Sequence, residues 1–201
     1  MRVTLFDYGA GNLHSLSKAI LLSSEVELQI ETDATEAVNT DALILPGVGA
    51  FSSASERLFP GRAAMRDAIL SGLPCLGICL GMQLLMDESE EGPGRGLGVI
   101  PGDVRKLKTK RVPQIGWNEI EDPSDPLFEQ APIAVGYFAN SFVCKPIDES
   151  AAIAWSNHEN ERFVSAVRLK NTVGVQFHPE KSSGAGLRLI GAFIDSVRGR
   201  R

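Results

Sequence analysis

Cysteine is scarce. Three in 201 residues are too few for a disulfide scaffold, and an odd count leaves at least one thiol without a partner in the chain. Positive charge is in deficit: 20 Lys and Arg against 25 Asp and Glu give a formal net charge of -5. A nucleic-acid binder ordinarily carries a basic excess or a basic face, so that class is disfavoured. No apolar run approaches the roughly 18 residues of a membrane-spanning helix. Arg2 precedes a short apolar stretch that stops at Asp7, which is no secretory signal. Low-complexity segments, internal repeats and linkers are lacking too. These absences predict a single domain over residues 1–201, soluble and cytoplasmic, with reduced cysteines and with neither nucleic acid nor membrane among its partners.

What is present is globular composition, 43% hydrophobic and 22% charged, arranged in alternating periods. Residues 3–6 form a β-favouring apolar run, closed by Asp7-Tyr8-Gly9-Ala10-Gly11-Asn12. Asn12 can cap the helix that Leu13, Leu16 and Ile20 outline. Val26, Leu28 and Ile30 alternate as in a half-exposed strand. Residues 42–45 are continuously apolar, 63–70 helical, 73–78 strand and 80–86 helix. This alternation predicts an α/β fold with a central, mostly parallel sheet flanked by helices. Glycine and proline become frequent over 92–125, strand-rich stretches follow at 133–143 and 151–177, and residues 185–197 close the chain as an amphipathic helix. The basic cluster Arg105, Lys106, Lys108, Lys110 and Arg111 reads as a solvated strand-loop face, with a docking surface as the minority reading. The acidic run Asp87, Glu88, Glu90, Glu91 reads as surface.

The sharpest local feature is Gly77-Ile78-Cys79-Leu80-Gly81, between an apolar strand and a helix. A nucleophile on a tight strand-to-helix turn stands clear of the sheet, and glycines two residues either side avoid collisions. The helix start favours an anion on sulfur, and the Leu80 amide lies where it can donate to a developing oxyanion. Taken alone, the pentapeptide fits a buried inert cysteine equally well. Cys75 and Cys144 lack the flanking glycines and read as structural. Of three histidines, His14 and His158 read as surface residues. His178 terminates the run Val173-Gly174-Val175-Gln176-Phe177, and strand ends of a parallel sheet meet over one edge. That makes Cys79 and His178 neighbours, with Glu180 placed to hold the second imidazole N–H.

This elbow with a later His-Pro-Glu resembles the class I glutamine amidotransferases, whose fold is flavodoxin-like. Residues 7–12, Leu45-Pro46-Gly47-Val48-Gly49-Ala50-Phe51, residues 77–85, Gly116-Trp117-Asn118 and residues 177–182 are similar to the family of glutaminase subunits of imidazole glycerol phosphate synthase. The resemblance covers residues 1 to about 197. It implies glutamine hydrolysis by a Cys79-His178-Glu180 triad and ammonia delivery to a (β/α)₈ cyclase partner in a heterodimer of histidine biosynthesis. It implies Val48 and Leu80 as oxyanion donors. Gly47, on the same oxyanion strand, binds substrate together with Gly49, Gln83, Ser141 and Phe142, which line the L-glutamine pocket. Asn12, Trp117, Tyr137 and Lys181 fall on the cyclase face. No metal or organic cofactor is expected. Two positions depart from the family, which commonly has histidine where Gln114 and Asn140 stand. A glutaminase serving a different synthase, a free-standing cysteine hydrolase and a partner-binding pseudoenzyme are the other readings.

Overall fold

The computed structural model describes residues 1–9 and 13–199. Five strands pair in parallel in the central sheet: β1 (Arg2–Phe6), β2 (Glu27–Glu31), β3 (Ala42–Leu45), β4 (Cys75–Ile78) and β12 (Thr172–Val175). Two antiparallel strands, β10 (Ala152–His158) and β11 (Glu161–Leu169), extend one edge, giving the order β10-β11-β12-β4-β3-β1-β2. The α/β expectation with a mostly parallel sheet therefore holds.

The reason lies in the strands' alternation. Val3 and Leu5, Ala42 and Ile44, and Leu76 and Ile78 face one apolar cluster, while Phe6, Leu43, Leu45 and Cys75 face another. Successive side chains point to opposite faces, so continuously apolar strands need cover on both sides. Helix α1 (Leu13–Ser23) and the C-terminal helix (Ser183–Arg198) cover the first face through Leu16, Ile20, Leu189, Ile190, Phe193 and Ile194. Helices α2 (Phe51–Leu58), α3 (Arg62–Leu70) and α4 (Leu80–Leu84) cover the second.

Helix α2 has no counterpart in the periodicity reading. Its serines are weak helix formers, and its N-cap, Ala50, offers no side-chain cap. Burial of Phe51, Ala54 and Leu58 holds it, and Glu91 Oε2 accepts the Phe51 N–H at 2.9 Å. A carboxylate distant in sequence thus serves the helix start.

The excursion between α4 and β10 holds two small sheets. Strands β5 (Glu88–Ser89), β6 (Gly102–Lys106) and β9 (Phe142–Pro146) form one, and β7 (Gln114–Glu119) and β8 (Val135–Asn140) form the other, with α5 (Pro126–Gln130) in the connection between β7 and β8. Phe138 fastens β8 to the core, edge-on to Phe163 at 5.8 Å and tilted against Phe177 at 5.9 Å. Burying each ring contributes roughly 2–3 kcal/mol. Gly136 lets β8 approach closely, since a Cβ there would sit 2.9 Å from Phe177 Cγ. The C-terminal helix is numbered α6. Among the described residues no helix is long and apolar enough to cross a membrane.

The basic cluster is surface, as expected: Arg105 pairs with Asp103, and Arg111 with Glu159 at 3.0 Å. His14 is exposed. His158 is only half-buried, its Nε2 lying 2.8 Å from the Arg111 carbonyl.

Candidate active site

Strands β3, β4 and β12 are adjacent and parallel, with Leu45 opposite Gly77 and Val175 opposite Ile78. The segments following each strand converge over one edge: Pro46 to Gly49 after β3, Cys79 after β4, and His178 after β12. Cys79 sits at φ 50, ψ -102, a left-handed backbone that a non-glycine residue adopts only when its surroundings impose it. The surroundings do. Its N–H donates to the Val175 carbonyl at 2.7 Å, and its carbonyl accepts the Gln83 N–H at 3.1 Å. A Cβ at Gly77 would lie 2.7 Å from Gly81 O, and one at Gly81 would overlap the Leu45 carbonyl. The flanking glycines are therefore a packing requirement of the elbow. Gly47 is another: a Cβ there would lie 2.6 Å from Ile78 O and 2.9 Å from Cys79 Cβ.

His178 is 1% exposed and Cys79 6%. His178 Nδ1 lies 2.9 Å from Glu180 Oε1, and the imidazole also hydrogen-bonds to Cys79. Burial pulls the imidazole pKa down, but the hydrogen bonds and charges of Cys79 and Glu180 outweigh it and push it up to about 9. Thiol, imidazole and carboxylate in this order can generate a nucleophilic sulfur and shuttle one proton. Burial pushes the thiols of Cys75 and Cys144 up, and the charge of Cys79 adds to this at Cys144. Both are fully buried and suit packing.

A pH consequence follows. The folded His178 value lies above the ordinary 6.5. Its pairing thus stabilises the fold fully below about pH 6.5 and loses that contribution as pH rises through about 9. In Glu180→Gln the carboxylate's charge is gone, so the imidazole should titrate at lower pH. NMR titration of His178 should give a midpoint near 9 in the parent and well below it in the variant. Coincident midpoints would contradict the pairing.

The pocket over this edge has a volume of about 250 Å³. Gly47, Val48, Gly49, Leu80, Gln83, Ser141, Phe142 and Lys181 line it together with Cys79 and His178. Leu80 opens α4, so its N–H has no carbonyl one turn earlier to serve. Trp117 and Tyr137 stand beside the pocket, on the outer face of β7 and β8. Trp117 is 56% exposed, which removes core packing as its role. Its ring meets Tyr137 edge-on at 6.0 Å, and Lys181 Nζ lies 5.7 Å from the Tyr137 ring. Asn12 lies outside the described residues.

Three pocket features escape the sequence reading. Gln176 is fully buried and donates to Cys79 Sγ at 3.4 Å, while its Oε1 faces Gln83 Nε2 at 3.4 Å. A polar side chain in the apolar run before His178 was its available signal, because buried amides need partners. Glu91, from the acidic run read as surface, is exposed but belongs to the pocket wall. Nothing in its spacing marks it, since the chain after α4 carries it back to the site. The third is the relation between Gln114 and Asn140. They are direct cross-strand partners on β7 and β8, both buried. Asn140 Nδ2 donates to Phe142 O at 3.1 Å, the carbonyl that Gln83 Nε2 also reaches at 3.1 Å. The two positions are thus neighbours in space, Asn140 in the pocket wall and Gln114 beside it on β7. Among the described residues no group of three or more His, Cys, Asp or Glu has the arrangement to hold a metal ion.

Comparison with known proteins agrees with this geometry. The family described as Glutamine amidotransferase class-I matches residues 4–195. The chain is 39% identical over 204 residues to the imidazole glycerol phosphate synthase subunit HisH of Gloeothece citriformis, covering 98% of this chain and 96% of that one. It is 42% identical over 195 residues to the HisH subunit of Pyrococcus furiosus, covering 96% and 97%. Among solved structures, a glutamine amidotransferase covers 98% of both chains with a TM-score of 0.74 at 20% identity. A glutamine amidotransferase from Thermotoga maritima covers 100% of this chain and 85% of its own, with a TM-score of 0.66 at 18% identity. At those identities the solved structures speak to the fold alone. Family match and full-length relatives together place the chain among the class I glutamine amidotransferases, in the family of HisH subunits of imidazole glycerol phosphate synthase.

Proposed function

We propose that the chain hydrolyses L-glutamine to glutamate and ammonia and delivers the ammonia to a cyclase partner, as the glutaminase subunit of imidazole glycerol phosphate synthase in histidine biosynthesis. The observation that carries this reading is the buried line Cys79–His178–Glu180 opening into a pocket edged by the Gly47–Gly49 segment. The Cys79 thiolate attacks the side-chain carbonyl carbon of glutamine. The amides of Leu80 and Val48 hold the oxyanion, the latter once the glycine-flanked peptide presents it. The His178 imidazolium, oriented by Glu180, protonates the leaving nitrogen, and ammonia departs from a thioester. His178 then takes a proton from water, which attacks the thioester and releases glutamate. Gln83 and the 141–142 backbone grip the amino-acid end of the substrate, and the Glu91 carboxylate offers its ammonium an opposite charge.

The partner reading rests on the outer face of β7 and β8. Ile115, Trp117 and Val135 are exposed there beside the half-buried Tyr137, and Lys181 joins that face to the pocket. Such an apolar, aromatic stripe next to an ammonia-releasing site fits a (β/α)₈ barrel closing over the exit, because ammonia released into water is protonated and lost. Glutamine hydrolysis should be slow for the isolated chain and rise on addition of the cyclase subunit with its nucleotide ligand. Equal rates with and without that subunit would count against the coupling. Trp117→Ala should leave stability within about 0.5 kcal/mol. It should weaken the complex by about 2 kcal/mol, roughly 30-fold in Kd, as should Lys181→Ala if the lysine crosses the interface. Unchanged affinity in titration calorimetry for both variants would remove this face from the interface.

A further inference from the structure

Ser182 immediately precedes α6, where a serine hydroxyl ordinarily accepts from the second or third N–H of the helix. Here its side chain makes no such bond. Ser182 Oγ instead donates to the His178 carbonyl at 2.6 Å and accepts the Tyr137 N–H at 2.9 Å. The residue is 1% exposed. The His178 N–H donates to the Tyr137 carbonyl at 2.8 Å. Both backbone polar groups of His178 therefore run to one residue of β8, the first directly and the second through this hydroxyl. The same His178 carbonyl accepts the Lys181 N–H at 3.0 Å, closing the turn that carries Glu180 against the imidazole.

Tyr137 looks both ways. Its backbone holds the histidine turn, and its ring lies between Trp117 and Lys181 on the outer face. Two routes, three hydrogen bonds in all, thus join this residue of β8 to the His178 backbone. We propose that Ser182 is a positioning residue, the polar link through which β8 and its outer face set the placement of the His178 imidazole against Cys79. Only a group that donates and accepts at once can fill this role. A methyl in its place leaves a buried N–H without a partner and releases the carbonyl end of the turn. The outer face as a docking surface rests on the proposed function; the link from β8 to His178 does not.

The test uses Ser182→Ala, Ser182→Thr and Ser182→Cys in the full chain. Threonine keeps the hydroxyl, while cysteine fills the space with a weak donor. In the complex with the cyclase subunit, Ser182→Ala should lower kcat for glutamine about tenfold or more, since misplacing a catalytic group by a fraction of an ångström is costly. KM should stay within about twofold. Ser182→Thr should recover most of kcat, and Ser182→Cys should not. If alanine unfolds the chain, the threonine–cysteine contrast in kcat still decides. The rate of Cys79 alkylation by iodoacetamide in the isolated chain, mapped by peptide mass, should fall and recover in the same order. That readout needs neither glutamine nor a partner, so a parent without glutaminase activity would overturn the proposed function and leave Ser182 still decided by alkylation. Parent-like kcat and alkylation in Ser182→Ala, or equal loss in threonine and cysteine, would overturn the link.

Discussion

Cys79→Ala is expected to abolish glutamine hydrolysis, by a factor on the order of 10⁴ or more, while the chain stays folded. The loss is large because every later step depends on the sulfur: without it there is no thioester, and His178 and Glu180 have nothing to activate. The cost to stability is small. Alanine tolerates the φ of 50 at this position no worse than cysteine does. Among the described residues, the hydrogen bond lost apart from contact with His178 is that from Gln176 Nε2 to Sγ at 3.4 Å, worth about 1 kcal/mol. In a chain of this size that corresponds to a fall in Tm of about 2–4 °C. Synthesis fed with free ammonia should survive the substitution in the complex with the cyclase, which separates chemistry at Cys79 from damage to the assembly. Residual glutamine turnover near the parent rate would place the nucleophile elsewhere.

Gly81→Ala should cause a large loss of stability from a single methyl. The added Cβ would overlap the carbonyl of Leu45 and press on its Cβ at 2.9 Å. Both belong to the buried strand β3, which cannot move without disturbing β1 and β4 on either side. Overpacking of backbone against backbone costs about 3 kcal/mol here, a fall in Tm of roughly 6–12 °C. Activity should fall with it, since α4 must shift and carries the Leu80 amide away. Gly92→Ala is the control. Its Cβ would meet Ser52 Cβ at an ordinary 3.6 Å, so its effect should stay within about 0.5 kcal/mol. Equal melting curves for the two variants would show that the elbow tolerates a side chain at position 81.

The centre of the sheet was readable in the sequence because its inner strands are apolar on both faces and helices such as α6 carry a one-sided stripe. Residues 42–45 and the strand ahead of Cys79 illustrate the first, and α6 the second. The meeting of Cys79 with His178 was readable for a related reason: adjacent parallel strands bring their carboxyl ends to one edge. Helix α2 was not readable. Its residues favour a helix weakly, and what holds it is burial plus a carboxylate from a later segment. Glu91 was hidden likewise, because four acids among residues 87–91 look like a solvated surface until the chain is folded back on the pocket. Gln114 and Asn140 were visible one at a time as departures. Their pairing belongs to the β7–β8 register, which no local pattern encodes.

Reaction with a glutamine-analogue electrophile, followed by peptide mapping, decides whether Cys79 is the nucleophile. The three thiols differ sharply in setting. Cys75 and Cys144 are fully buried with pKa values pushed up by burial, whereas Cys79 faces the pocket beside His178. A single modified peptide containing Cys79 is expected, with labelling blocked by glutamine and absent in Cys79→Ala. Modification at Cys75 or Cys144 instead would contradict Cys79 as the nucleophile.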